Sequence, residues 1–195
     1  MPAAYVEFAA GWQRLHPDWE YRLWGGDDLP PLRNRDLYDV ADYLFGDLAH
    51  QFRSDLVRYE LLDQFGGVWV DTDFECLKPL DSLLEGVECF AAWVTTEWLN
   101  NALIGAEAGH PFIRRLIDGL PDSIARNPGK APRVVSGPQY LTHQWRKDGA
   151  GVTTFDRSRF YPYLWSELRR GHDRFPGAWA VHHWHNRRRE RGQPL

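Results

Sequence analysis

Cysteine, net charge and long apolar runs are all scarce in this sequence. Its 195 residues include 2 cysteines, Cys76 and Cys89, which is too few for the disulfide framework of a small secreted domain. A formal net charge of −4 gives no general attraction to nucleic acid, so we expect no nucleic-acid partner. No run approaches the roughly 18 apolar residues of a transmembrane helix, and no signal peptide is visible. We expect a cytoplasmic protein that associates with a membrane only through partners.

The composition is that of an ordinary globular protein, with 43% hydrophobic and 26% charged residues. The length suits a single domain over residues 1–195. The 10 tryptophans are compatible with sugar stacking and equally with core packing. The one basic run lies near the end of the chain and comprises Arg187, Arg188, Arg189 and Arg191. A solvated tail is its simplest interpretation, and a phosphate or membrane-surface contact is the alternative.

Apolar periodicity predicts a helix over Ala4–Leu15 and a second helix from about Asp47 to Phe65. We expect Asp47 to cap the start of the second helix. Either Gly66 or Gly67 can take the left-handed conformation that ends it.

Short alternating or apolar runs predict strands at residues 21–24, 68–70, 87–94, 102–104, 152–155 and 178–181. The first of these runs leads into Gly25-Gly26-Asp27-Asp28, which predicts a turn, and the short apolar run at 68–70 predicts a buried strand. Pro111 and Pro138 each suit the first turn of a helix, over Phe112–Leu120 and Gln139–Lys147. Strands that alternate with helices predict an α/β fold, with a mostly parallel central sheet flanked by helices.

Asp71 and Asp73 follow the predicted strand at 68–70 and are the strongest indication of function. Side chains two residues apart on an extended chain point to one face, so both carboxylates can reach a single ion. Mg²⁺ or Mn²⁺ held in this way can bind a diphosphate and offset the charge on a leaving group. In open α/β sheets, ligands bind at the carboxyl ends of strands. Taken alone, the pair could equally be two solvated aspartates, or could cap the following turn.

Asp55 and Arg58 lie three residues apart in the second predicted helix and are therefore neighbours on its surface. One interpretation is a surface ion pair worth about 0.3 kcal/mol. In the other interpretation, Asp55 accepts and Arg58 donates hydrogen bonds to sugar hydroxyls. Helix spacing does not choose between the two.

The pattern Arg53-Ser54-Asp55-x-x-Arg58-Tyr59-x-x-Leu62-x-x-x-Gly66-Gly67-Val68-x-x-Asp71-x-Asp73 resembles the signature of the DXD-containing sugar-binding region. That region is shared by glycosyltransferase family 32 and, more distantly, by the clostridial glucosylating toxins. Further segments fit the family in order: Pro17–Trp24, Cys76–Leu80, Asn100–Ala106, Ser136-Gly137-Pro138 and Val181–Trp184. The resemblance therefore covers nearly the whole chain.

The resemblance implies a GT-A fold, the Rossmann-like fold of nucleotide-diphospho-sugar transferases. It implies transfer of a hexose, with retention, from a UDP- or GDP-hexose to a glycan, glycolipid or small-molecule acceptor, as in polysaccharide biosynthesis. It also implies a divalent metal, usually Mn²⁺, with Mg²⁺ as the alternative. No catalytic base is assigned, because the donor diphosphate itself is proposed to take the acceptor proton in relatives.

By the same resemblance, Asp71 and Asp73 bind the metal, with Asp73 as its principal carboxylate ligand. His182 matches a histidine near the C-terminus that returns to the metal or the diphosphate. A neutral imidazole is a suitable ligand for a divalent metal. The neighbouring His183 remains an alternative to His182.

The resemblance also assigns residues to the donor sugar. Asp55 and Arg58 match the pair that grips this sugar, and Asn101 falls where a polar residue near the reacting sugar is expected. Asp71 would additionally touch the donor ribose or sugar.

The sequence departs from the family pattern at both ends. Relatives usually open with an apolar strand that helps to bind the nucleotide base, whereas this chain starts inside the first predicted helix. Either the start of the sequence is wrongly placed or the domain is naturally short at its N-terminus, and a domain without this strand would hold a nucleotide less well. The ending lacks the family's small residue and tryptophan, and Arg187 or Arg188 could meet the diphosphate instead.

Two alternatives to a transferase remain. A phosphohydrolase of the haloacid dehalogenase type would use Asp71 to attack phosphorus and Asp73 as the acid. That class normally has Thr or Val where this chain has Glu75, and its motif normally opens the domain. The second alternative is a degenerate relative that binds sugar, metal or a partner without turnover.

Overall fold

The computed structural model describes residues 3–185; the arginine run at 187–191 lies outside the described residues. The chain divides into two compact units. The described part of the first unit comprises residues 3–23, 70–86 and 155–185, and the second unit comprises residues 24–69 and 87–154. The assignment of residues 1–195 to a single domain stays a prediction.

Helices and strands alternate along the described chain. The helices are α1 (Ala3–Leu15), α2 (Arg35–Asp39), α3 (Ala41–Phe45), α4 (Ala49–Phe65), α5 (Asp81–Leu84), α6 (Pro111–Arg126), α7 (Pro132–Val135) and α8 (Pro138–Lys147). The strands are β1 (Gly67–Val70), β2 (Phe74–Cys76), β3 (Cys89–Trp93), β4 (Leu99–Ala106), β5 (Thr153–Phe155) and β6 (Ala180–His182). Single 3-10 turns lie at Gly26–Asp28, Gly46–Leu48, Arg157–Arg159 and Leu168–His172.

The larger sheet has the strand order β1-β4-β3-β5. Strands β3 and β4 are antiparallel, with Cys89 opposite Ala106 and Trp93 opposite Leu99. The short connection at 94–98 can join only antiparallel neighbours, so this pair is an antiparallel exception in a sheet that the sequence predicts to be mostly parallel. The α/β class itself is confirmed. Helices α4 and α6 bury apolar faces that include Phe52, Leu56 and Leu116.

The first unit contains a second, two-stranded sheet in which β2 and β6 are antiparallel. Phe74 lies opposite His182, and Cys76 lies opposite Ala180. Helix α1 is tied to β2 because the indole Nε1 of Trp12 donates to the carbonyl oxygen of Phe74 at 3.0 Å. The N-terminal helix therefore supports the strand that follows the Asp-x-Asp pair.

The two long predicted helices are confirmed as α1 and α4, and α4 ends at a glycine as predicted. Gly66 has a φ of 68°, and a Cβ there would lie 2.7 Å from the backbone nitrogen of Ala108, so only glycine fits. The prediction that Asp47 caps α4 is wrong. Asp47 lies within a preceding 3-10 turn, and the helix begins after Leu48 without a side-chain cap.

Two strand predictions need correction. Residues 21–24 form no strand in the described chain, although the turn predicted after them is present as the 3-10 turn Gly26–Asp28. The strand predicted at 68–70 exists as β1, but it is half-buried rather than fully buried.

Helix α6 continues beyond Leu120, where the sequence predicts its end, and passes through Pro121. Proline has no N–H, so the carbonyl oxygen of Ile117, four residues earlier, loses its helical partner. The side-chain amide of Asn34 donates to that oxygen at 3.0 Å. A residue distant in sequence therefore replaces the missing donor.

Candidate functional site

Asp71 and Asp73 lie on a turn between β1 and β2. The backbone N–H of Phe74 donates to the carbonyl oxygen of Asp71 at 3.1 Å, which closes the turn just before β2 begins. The sequence predicts an extended backbone here, with both side chains on one face of a strand. The turn still brings both carboxylates to one place, because it reverses the chain immediately after β1.

His182 joins these two aspartates. The pairing of β6 with β2 places His182 opposite Phe74, and the ligand atoms of Asp71, Asp73 and His182 all lie within 4.8 Å of one another. We call this group the acidic triad. It lies entirely within the first unit.

The acidic triad has the chemistry of a divalent metal site. The Nε2 atom of His182 lies 3.0 Å from Oδ1 of Asp73, and adjacent ligand atoms in an octahedral shell with bonds of about 2.1 Å are roughly 3 Å apart. The other ring nitrogen of His182, Nδ1, is buried and has no hydrogen-bond partner within residues 3–185. Carboxylates suit Mg²⁺ and Mn²⁺, while imidazole suits transition metals. The donor set therefore fits Mn²⁺ better than Mg²⁺.

Asp73 is buried, with 8% of its surface exposed, and it is surrounded by donors. Its Oδ2 accepts from the backbone N–H of His185 at 2.9 Å. Burial acts to raise the pKa of the Asp73 carboxyl, but the charge and hydrogen bond of His182 and the N–H of His185 outweigh burial and lower that pKa. The carboxylate is therefore ionised at neutral pH and ready to bind a cation.

His183 faces away from the acidic triad. Its Nε2 lies 2.9 Å from Oε2 of Glu75, its Nδ1 lies 3.3 Å from the hydroxyl of Tyr163, and its ring stacks on Phe8 with centroids 4.9 Å apart. Neighbouring residues at the end of a strand point to opposite sides. Of the two histidines that the sequence leaves open, the structure brings His182 to the aspartates.

Asp55 and Arg58 form a buried pair in the second unit. They are 8% and 3% exposed, and Nη2 of Arg58 lies 3.4 Å from Oδ1 of Asp55. The interpretation as a surface ion pair is therefore wrong, because both groups are withdrawn from water by the packing of α4. The guanidinium also lies over the ring of Trp69, 5.3 Å from its centroid, and donates to the carbonyl oxygen of Asn101.

Asn101 and Ser136 hold the two oxygens of Asp55. The amide Nδ2 of Asn101 donates to Oδ1 at 2.8 Å, and the hydroxyl of Ser136 donates to Oδ2 at 2.8 Å. The hydroxyl of Tyr59 donates to the Ser136 carbonyl oxygen at 2.8 Å. Burial, followed by the charge of Asp55, raises the pKa of Tyr59, so this hydroxyl keeps its proton.

The sequence assigns no role to Tyr59, Ser136 or Gly137, although all three lie in segments that carry the family resemblance. A Cβ on Gly137 would lie 3.0 Å from Oδ2 of Asp55 and 3.0 Å from Cα of Arg133. A larger residue would therefore crowd the carboxylate where α8 approaches it. The family pattern contained this signal, but the residues alone did not indicate it.

The fold is similar to that of a solved glycosyltransferase. The solved structure named PaToxG Glycosyltransferase is similar, with a TM-score of 0.58 and 13% sequence identity, over 76% of this chain and 64% of that one. At this identity the likeness concerns the fold alone, and it supports the predicted GT-A architecture.

A family model also matches part of the chain. Residues 3–89 match the family model of the glycosyltransferase sugar-binding region containing the DXD motif. The resemblance found in the sequence is thereby confirmed, and the chain carries this region with Asp55, Arg58, Asp71 and Asp73 inside it.

Curated relatives from three organisms are also similar. Inositol phosphoceramide mannosyltransferase 3 of Schizosaccharomyces pombe is 32% identical over 67% of this chain and 37% of its own length. A mannosyl phosphorylinositol ceramide synthase of Saccharomyces cerevisiae is 31% identical over 54% of this chain and 28% of its own length. Lactosylceramide 4-alpha-galactosyltransferase of Homo sapiens is 30% identical over 60% of this chain and 34% of its own length.

The chain thus spans well under half the length of these relatives, at 28% to 37%. Within residues 3–185, no helix combines the length and the apolar character that crossing a membrane requires.

Proposed function

We propose that the chain is a metal-dependent glycosyltransferase that moves a hexose, with retention, from a UDP- or GDP-sugar to an acceptor. The observation that carries this proposal is the acidic triad, in which two carboxylates and an imidazole lie within 4.8 Å of one another. It occurs in a chain whose residues 3–89 match a DXD sugar-binding region. An Asp-x-Asp pair alone would not support this function, but the third ligand and the family match together do.

The acidic triad is proposed to hold Mn²⁺, which when bound would act as a Lewis acid toward the donor diphosphate. Asp73 supplies an ionised carboxylate, since its pKa is lowered in the folded protein. Asp71 supplies a second carboxylate, and His182 supplies its Nε2, which lies 3.0 Å from Oδ1 of Asp73. Metal binding requires these groups to be deprotonated, so His182 would bind the metal as the neutral imidazole.

Asp55 and Arg58 are proposed to bind the donor sugar, with Asn101 fixing Asp55. Each oxygen of Asp55 already accepts one hydrogen bond from a fixed donor, and an ionised carboxylate has about four lone-pair positions in all. These two bonds hold the side chain in place, so it need not rotate when the donor binds. Such preorganisation reduces the cost of ordering the site when the donor binds.

In the proposed reaction, the bond from the anomeric carbon to the diphosphate breaks and a bond to the acceptor oxygen forms on the same face. The acceptor proton passes to the departing diphosphate, so no side chain is needed as a base. The names of the relatives include inositol phosphoceramide and lactosylceramide. We therefore favour the sugar headgroup of a glycolipid as acceptor, reached at a membrane through partners.

The test is release of nucleoside diphosphate from a panel of UDP- and GDP-hexoses by purified protein with Mn²⁺. We expect slow hydrolysis of one donor by the wild type and at least about a tenfold loss in Asp73→Asn. Asp173→Asn, which changes an exposed carboxylate in the same unit, is the matched control and should retain activity. Undiminished release by Asp73→Asn would refute the metal assignment. Donor binding in a thermal-shift assay without any release would favour the non-catalytic alternative.

A further inference from the structure

Trp184 has a backbone conformation that large side chains rarely adopt. Its φ is 55°, and within residues 3–185 it is the one non-glycine residue with a positive φ. In this region the Cβ atom crowds a backbone oxygen, so the conformation is a genuine outlier for a bulky residue. Outliers of this kind persist where the surrounding structure imposes them, and they cluster at functional sites.

The left-handed turn at Trp184 directs two backbone donors to one aspartate. The N–H of His183 donates to the carbonyl oxygen of Asp73 at 3.0 Å, and the N–H of His185 donates to its carboxylate Oδ2 at 2.9 Å. A left-handed residue changes the direction of the backbone N–H groups beside it, and here the N–H that follows Trp184 in the chain reaches the carboxylate. The strained residue therefore lies between the two donors that fix Asp73.

The indole of Trp184 is held on two sides. Its Nε1 donates to the carbonyl oxygen of Tyr163 at 3.1 Å. Its ring lies against the imidazole of His182, with centroids 4.1 Å apart, and Trp165 meets it edge-on at 5.5 Å. The side chain that stabilises the strained turn thus also contacts a member of the acidic triad.

We propose that Trp184 is a positioning residue for the metal site. Its buried indole holds the left-handed turn, and the turn keeps the Asp73 carboxylate and the His182 imidazole arranged for a cation. The inference rests on the proposed function only in taking the acidic triad as the metal site.

The first test is the affinity for Mn²⁺ of the wild type, Trp184→Ala and Trp184→Gly, measured by calorimetry below the unfolding temperature of each. Both variants lack the indole, but glycine adopts a positive φ freely. We expect Trp184→Ala to bind about tenfold more weakly than the wild type, in the range for groups that orient metal ligands. The affinity of Trp184→Gly for Mn²⁺ should lie between those of the wild type and Trp184→Ala. Equal affinities of the Ala and Gly variants, or wild-type affinity in Trp184→Ala, would overturn the proposal.

The second test needs no metal. Hydrogen exchange of the His185 amide, followed by NMR, should accelerate in Trp184→Ala and stay slow in Trp19→Ala, which removes a different indole from the same unit. Unchanged exchange in Trp184→Ala would overturn the inference even if the wild type failed to bind Mn²⁺, a failure that would count against the proposed function instead. Should Trp184→Ala not fold, Trp184→Phe loses the donor to Tyr163 and part of the indole's contact area but keeps an aromatic ring. It should show a smaller effect of the same sign in both tests, and wild-type behaviour would again refute the proposal.

Discussion

Asn101 holds Asp55 through a hydrogen bond of 2.8 Å from its side-chain amide to Oδ1 of the carboxylate. The amide comes from β4 and the carboxylate from α4, so the bond fixes the helix to the sheet of the second unit. Since Ser136 holds the other oxygen, the rotamer of Asp55 is determined before any ligand arrives.

The first prediction concerns Asn101→Asp, which replaces the donor with a second buried carboxyl beside Asp55. Two carboxylates in one site repel each other, which raises the pKa of one of them. A carboxyl whose pKa is raised by folding makes the folded state less stable as the pH rises. We expect the variant to lose about 3 kcal/mol of unfolding free energy near neutral pH and to regain part of it near pH 5. Urea unfolding at both pH values measures this.

Asn101→Ala is the matched control for that pH dependence. It removes the same donor without adding a charge, at a cost of about 1–3 kcal/mol that should not vary between the two pH values. If the loss in Asn101→Asp were equally independent of pH, the two carboxyls would not share a site.

The second prediction is that Gly137→Ala weakens donor binding. The added methyl group would lie 3.0 Å from Oδ2 of Asp55 and 3.0 Å from Cα of Arg133, so the carboxylate or the start of α8 must move. Overpacking of this kind typically costs about 1–3 kcal/mol. Gly177→Ala, where no heavy atom lies within 4 Å of the added Cβ, should be tolerated. Thermal shifts by UDP- and GDP-hexoses compare the two variants, and equal shifts would count against the contact.

The helix and turn that position Asp55, Asp71 and Asp73 could be predicted because the local sequence determines them. The helix that became α4, its glycine end and the following Asp-x-Asp could be read from apolar spacing and from Gly66 alone. The prediction of a strand at 21–24 was wrong because a short alternating run forms a strand only where a neighbouring strand pairs with it. The prediction that Asp47 caps α4 was wrong because Asp47 lies in a 3-10 turn and the helix begins only at Ala49.

The candidate site was less predictable because it depends on long-range contacts. Asp55 is held by residues 46 and 81 positions away in sequence, and helix spacing says nothing about either. His182 is 109 positions from Asp73, and only the family resemblance selected it. Burial of the Asp55–Arg58 pair arises from tertiary packing, which is why the choice between a surface pair and a binding pair stayed open at the level of sequence.

The third prediction concerns the amide of Asn34, which donates to the carbonyl oxygen of Ile117 that Pro121 leaves without a helical partner. Asn34→Ala should cost about 1–3 kcal/mol, because a buried acceptor is left unpaired. In a Pro121→Ala background, the restored N–H at position 121 can serve the same oxygen, so the cost should be smaller.

A double-mutant cycle by urea unfolding gives the interaction energy between Asn34 and Pro121. Asn34 also donates to Oε1 of Glu60, through its backbone N–H at 2.9 Å and through its side-chain amide at 3.4 Å. Asn34→Ala keeps the first bond and loses the second in both backgrounds, so both cancel in the cycle. Strict additivity of the two substitutions would show that Asn34 does not compensate for the proline.

The fourth prediction concerns Asp73, whose carboxyl has a pKa below its ordinary value of 3.8 because His182 and the His185 N–H outweigh the effect of burial. A carboxyl whose pKa is lowered by folding stabilises the protein above the unfolded-state pKa, and this contribution is lost as the pH falls through the folded-state pKa. In metal-free buffer, the wild type should therefore be more stable than Asp73→Asn at about pH 7, and the difference should shrink below about pH 4. Asp173→Asn, which changes an exposed carboxylate, should show little such dependence. If the wild type were more stable than Asp73→Asn by the same amount at neutral and at acid pH, the charge of Asp73 would not be stabilised by its neighbours. The acidic triad would then lack the ionised carboxylate that the metal assignment needs.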